Sequence, residues 1–217
     1  MNRWLIISLA AAAVLGIGYG VVHRRDLGLT GQHAIGADDS RDSNEPALPS
    51  QRPAAIEWQR VDRASDGFKV EMPADVKQIQ IPAYNESGGT DPVNMIFSNP
   101  DAETTFSVAW ADNPPVVRVN GQSAGRVLEI ARDGAVARTQ TSLVSESASN
   151  AQGLPGRDFT ARNADGGVMS ARLIYAGSRL YMLNAAFPSA TARRDRDVSR
   201  FFDSFSVTAA GSGKGQP

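Results

Sequence analysis

Gly121-Gln122-Ser123-Ala124-Gly125 matches the G-x-S-x-G pattern, in which a strand-to-helix turn presents a nucleophilic serine. The β-branched run Val116-Val117-Arg118-Val119 precedes it, and a helical pattern follows. A serine hydroxyl becomes a nucleophile once a base takes its proton, and in elbow enzymes that base is a histidine later in the chain. Both histidines, His23 and His33, come before Ser123. The lysines are Lys69, Lys77 and Lys214, and none stands at S-x-x-K spacing from a serine. Without a base the pattern reads as a helix start, with Ser123 or Asn120 as N-cap. No catalytic residue is assigned, and the chain is not expected to be an enzyme.

The remaining candidates are weaker chemistry. The sequence holds no cysteine, which removes disulfides, thiolate metal sites and cysteine nucleophiles. With both histidines near the N-terminus, the common zinc and transition-metal sets are missing from the rest, so no metal or cofactor is expected. Asp195 and Asp197 lie two apart on a helical pattern and point in different directions. Arg193, Arg194 and Arg196 offer an anionic partner a contact; a solvated helix face is the alternative reading. Trp110 precedes Ala-Asp-Asn-Pro-Pro and so ends a strand beside a rigid loop, which makes it the candidate residue for a binding groove. Trp58, Tyr175 and Tyr181 extend this to an aromatic set that serves either as ligand platform or as core. A formal net charge of −1 over 217 residues carries no nucleic-acid footprint.

Short strands and two helices must position these groups. Phe68, Val70 and Met72 alternate with polar residues, and Pro73 closes that strand. Further strands are predicted over 77–81, 93–98 and 104–110. Phe159 and Ala161 share a face, Asp165-Gly166 signals a hairpin, and Met169, Ala171, Leu173 and Tyr175 form the next apolar face. Gly177-Ser178 makes a two-residue turn that favours positive φ at its first position. It predicts Tyr175 opposite Leu180 and Leu173 opposite Met182. Ala124, Val127, Leu128, Ala131 and Ala135 lie on one helical stripe; Val198, Phe201, Phe202 and Phe205 lie on a second.

The N-terminus adds a membrane element. Residues 4–22, WLIISLAAAAVLGIGYGVV, are uncharged and end at His23-Arg24-Arg25. A signal-peptide core is usually about 7–15 residues, whereas about 20 cross a bilayer. Residues 1–25 are therefore expected to be an anchor, with a cleaved signal as the alternative. Ala12, Gly16 and Gly20 recur every four residues, a spacing that lets two membrane helices pack closely. Residues 26–55 read as a disordered tether reaching about 30 Å as a flexible coil. Residues 56–208 form the globular domain, and 209–217 a polar tail.

The landmarks from Gly67-Phe68-Lys69-Val70-Glu71-Met72-Pro73, through Asp133-Gly134-Ala135-Val136 and Gly153-Leu154-Pro155-Gly156-Arg157-Asp158, to Phe201-Phe202-Asp203-Ser204-Phe205 are similar to the PsbP-like α/β/α sandwich and its exported bacterial relatives. The hairpin from Arg172-Leu173-Ile174-Tyr175 to Arg179-Leu180-Tyr181 belongs to the same set. The resemblance covers residues 57–208. It implies an α+β fold with an antiparallel β-sheet flanked by helices, and a non-enzymatic accessory role.

The expected protein is single-pass in the bacterial inner membrane, held through residues 4–22, with its C-terminal domain periplasmic, or secreted after cleavage. It binds a protein or envelope partner and no nucleic acid. Two alternatives differ in class: a hydrolase using Ser123 or a carboxylate pair, and a carrier of a small apolar ligand held between sheet and helix.

Overall fold

A computed structural model describes residues 55–84, 90–112 and 123–208. Ten strands and two α-helices occupy them. Strands β1 (Trp58–Arg63) and β2 (Phe68–Pro73) are joined by a 3-10 turn at Ala64–Asp66. Strands β3 (Lys77–Tyr84), β4 (Thr90–Ser98) and β5 (Thr105–Asp112) follow, then α1 (Ala124–Arg138). The meander β6 (Thr141–Ala151), β7 (Leu154–Asn163), β8 (Val168–Ala176) and β9 (Arg179–Phe187) leads to α2 (Asp195–Ser204) and β10 (Ser206–Val207).

Seven strands make one antiparallel sheet in the order β3-β4-β5-β9-β8-β7-β6. Two meanders meet in its middle, because the chain crosses to the far edge after β5 and returns through three hairpins. The turns fix the returning register. Gly177 takes φ 70° in the two-residue turn, and Tyr175 pairs with Leu180 and Leu173 with Met182, as the sequence predicts. Gly166, with φ 89°, turns the β7–β8 hairpin. The strands predicted over 77–81, 93–98 and 104–110 are present and longer.

Each face of the sheet buries a different kind of core. On one face Ala109, Ala111, Ala161 and Ala171 leave room for α1, which lays Val127, Leu128, Ala131 and Ala135 over β6, β7 and β8. Small side chains on both surfaces let helix and sheet approach closely. The opposite face is aromatic. Phe106, Trp110, Tyr181 and Phe187 meet Phe68 from β2, and Phe201, Phe202 and Phe205 from α2 and its end.

The second layer departs from the expected sandwich of helices. Beside α2 stands a three-stranded sheet, β1-β2-β10, whose strand β2 carries Phe68, Val70 and Met72 onto the aromatic core. The alternation in Phe68–Pro73 is that of a strand with one buried face, but it does not say which sheet the strand joins. Helix α2 begins within the arginine run: Arg194 is its N-cap, Arg196 lies in its first turn, and Phe205 is extended beyond its end.

Gly67 holds the β1–β2 connection where the two layers touch. Its φ is 76°, and a Cβ there would lie 3.1 Å from Tyr181 Oη and 3.2 Å from Arg179 Nη1. Gly67→Ala should therefore cost about 1–3 kcal/mol from left-handed strain and crowding. A shift in the urea midpoint at unchanged slope measures it.

No helix among the described residues is long and apolar enough to cross a membrane. The apolar run 4–22 with Ala12, Gly16 and Gly20, and the segments 1–54 and 209–217 as a whole, lie outside the described residues.

Candidate interaction edge and its neighbouring cleft

Two features of the half of the sheet that α1 covers stand together: an edge strand unpaired on its outer side among the described residues, and, on the face opposite α1, an open cleft. Edge strand β6, TSLVSESASNA, is exposed along most of its length. Its irregularity falls between Leu143 and Ser145, where Val144 has no partner residue in β7. Such a bulge turns side chains outward. Val144 is 57% exposed and Leu143 40%, the exposed large hydrophobics of the described residues.

The cleft lies on the aromatic-layer side of β6–β8, where α2 covers only part of the sheet. It encloses about 320 Å³. Ser145, Ser147, Thr160 and Ser170 supply hydroxyls, Val198 and Phe202 the apolar wall, and Arg172, Arg193, Asp158 and Asp203 the charges. Two arginines facing two aspartates leave the cleft near neutral. The Ser170 hydroxyl is buried without a partner. The arrangement suits an uncharged group with hydrogen-bonding capacity.

Arg172 shapes the cleft wall. It donates through Nε and Nη2 to the two oxygens of Asp158, both at 2.8 Å, and through Nη1 to the Phe202 carbonyl at 3.1 Å. Its guanidinium also stacks over the Phe202 ring at 5.0 Å. The Asp158 bond, working against burial, raises its pKa, so it stays charged. Arg172 thereby ties β8 to β7 and to α2 at once.

On the other side of β6, Glu146 accepts at Oε2 from both Arg132 and Arg157. The bonds from Arg132 and then Arg157 hold its carboxyl below the ordinary glutamate range. A depressed carboxylate contributes its stability above the unfolded-state pKa and loses it as pH falls through the folded value. Acidification below the usual carboxylate range should therefore weaken the α1–β6 connection. Glu146→Gln should flatten the stability profile there, read from denaturation midpoints in a pH series.

The other predicted site residues scatter. Trp110 is 1% exposed and lies edge-on to Phe68 at 5.1 Å, with the Arg63 guanidinium over its ring at 5.6 Å. It is core among the described residues: β5 is central in the sheet, so the strand end that carries Trp110 lies beneath the second layer. Tyr175 and Tyr181 face opposite cores, and Tyr181 donates to the Asp66 and Gly67 carbonyls at 3.2 Å. Burial first of all raises its pKa. No aromatic platform forms.

The three arginines also part company. Arg193 lines the cleft, 2.8 Å from Asp195 as an ion pair without hydrogen-bond alignment. Arg194 donates to Asp101 at 3.0 Å, which pins the start of α2 to the β4–β5 loop. Arg196 faces solvent. Ser123 is the N-cap of α1 and accepts from the Arg126 amide at 3.3 Å. Gly121 and Gln122 fall outside the described residues. Among the described residues no three His, Cys, Asp or Glu side chains gather as metal ligands.

No family model matches the sequence, and no curated protein matches it. Among solved structures the chain is similar to cyanobacterial PsbP (CyanoP) from Synechocystis sp. PCC 6803. Identity is 16% and the TM-score 0.49, over 74% of this chain and 98% of that one. This is the family that the sequence landmarks resemble. A protein of unknown function from Pseudomonas aeruginosa is similar at 13% identity and TM-score 0.32, over 62% of this chain and 85% of that one. A protein from Bacteroides thetaiotaomicron is similar at 11% and 0.33, over 67% and 47%.

Sequence reading missed β6, although its signal is present. Ser145, Ser147 and Ser149 recur at the strand period of two. The serines lack the β-branched and apolar character by which strands are usually found.

Proposed function

We propose that this chain is a membrane-tethered, extracytoplasmic accessory domain that works by binding and carries no catalysis of its own. The observation that supports the reading best is β6: a long strand with no neighbour on its outer edge among the described residues, Leu143 and Val144 exposed on it, beside an open polar cleft. Free strand edges are normally blunted by charge, proline or cover, and one left open is an invitation to a partner. The sequence supports the tethering: an apolar run at 4–22 followed by a polar stretch would, as an anchor and a flexible coil, keep the head within a few nanometres of a membrane.

Two measurements test this. A topology reporter fused after Thr208 should be active outside the inner membrane; activity inside removes the extracytoplasmic reading. Full-length protein recovered from solubilised membranes should retain a bound component that Val144→Lys releases. Equal recovery with both proteins removes the role of β6.

A further inference from the structure

We propose that the partner of β6 is β6 of a second copy, paired antiparallel about a two-fold axis at Ala148. This deepens the proposed function and rests on its reading of β6 as the interaction edge. The two outer edges of the large sheet differ. Strand β3 carries Lys77 and Pro82, devices that discourage pairing. Strand β6 has no lysine, arginine or proline, and its one charge, Glu146, is held by Arg132 and Arg157.

The bulge at Val144 ends the regular portion of the edge, which leaves Ser145–Ala151 for pairing. A two-fold axis at Ala148 then sets Ser145 opposite Ala151, Glu146 opposite Asn150, Ser147 opposite Ser149, and Ala148 opposite itself. The small pairs, Ser145 with Ala151 and Ala148 with itself, let the strands approach without steric conflict. Glu146 meets Asn150 rather than a second Glu146, so no like charges face each other. Its Oε1 is left by the two arginines, which take Oε2. Asn150 uses its Oδ1 to accept from Gly153 at 2.6 Å, and its amide hydrogens remain for a carboxylate. Ser149 Oγ is buried without a hydrogen-bond partner among the described residues. Beyond the paired residues, Leu143 and Val144 reach the Gln152–Gly153 turn of the second copy, where Gly153 leaves open space. The pairing therefore also covers the exposed apolar side chains.

The absence of native cysteine makes the register directly readable. In full-length protein in detergent, Ala148→Cys should form a covalent dimer on mild oxidation. Directly opposite residues lie about 4.5–5.5 Å apart, within disulfide reach. Ser142→Cys, on the same strand, should not, since its two copies would stand about 40 Å apart at ~3.3 Å per residue. Wild type should sediment as a dimer at protein concentrations where a single charged substitution leaves a monomer. Ala148→Lys and Ala148→Glu alone should each sediment as monomers, and their equimolar mixture should return to dimer.

A monomeric wild type, equal cross-linking at 142 and 148, or dimers that persist in both charged variants would overturn self-pairing. If wild type is monomeric yet loses a membrane component with Val144→Lys, self-pairing falls and the interaction edge stands. If wild type is monomeric and Val144→Lys releases nothing, both fall.

Discussion

Phe68→Ala is expected to destabilise the domain by about 3–5 kcal/mol, the range for emptying a buried aromatic site. Phe68 is fully buried and lies where three contributions to the aromatic core converge. It meets Trp110 of the large sheet edge-on at 5.1 Å, Tyr181 at 5.9 Å and Phe205 in a stack at 5.5 Å. Truncation removes both the transferred area and the ring contacts, while Gly67 next to it cannot relax without losing its left-handed turn. Against a typical net stability of about 5–15 kcal/mol, the loss is large enough to shift the denaturation midpoint strongly. Phe68→Leu should recover more than half of it by refilling the volume. A Phe68→Ala midpoint within about 1 kcal/mol of wild type would mean that the small sheet does not close the core.

Arg172→Ala is expected to cost about 2–3 kcal/mol, from the loss of charge-assisted bonds and from Asp158 left half-buried without its cation. Arg172→Lys should not restore it, because an ammonium cannot match the two parallel bonds at 2.8 Å. The damage should be local as well as global. The contact to the Phe202 carbonyl fastens α2 over the cleft, so amide exchange in α2 should accelerate more than in α1. A double-mutant cycle with Asp158→Asn isolates the pair. Uniform acceleration across both helices would show that Arg172 contributes only to overall stability.

Both residues mark where sequence reading and structure part. The alternation around Phe68 identifies a strand and its buried face, but β2 could have joined the large sheet equally well by pattern. It joins β1 and β10 because the return of β9 beside β5 fills the centre of the large sheet, and the aromatic face then needs a lid. Arg172 carries no sequence signal. It sits inside an apolar strand, and its partners Asp158 and Phe202 are brought to it by a hairpin and by a helix thirty residues on. Trp110 shows the reverse error: a residue singled out by the rigid loop after it proved to be core, because exposure depends on which layer lies above a strand.

The capping role of Ser123 was legible: a serine just ahead of a helical stripe is a preferred N-cap, and it accepts from the Arg126 amide. The hairpin registers were equally legible, since Gly177 and Gly166 provide the positive φ that tight turns require and side-chain period sets the rest. These features are local: they need only neighbouring residues and the dihedral preferences of glycine. The layering of the small sheet over the aromatic face, the ion pairs of Arg172, and the arrival of β6 at an open edge are different in kind. They arise from contacts between residues distant in the chain, whose burial is decided when the two meanders close, and only the tertiary structure decided them.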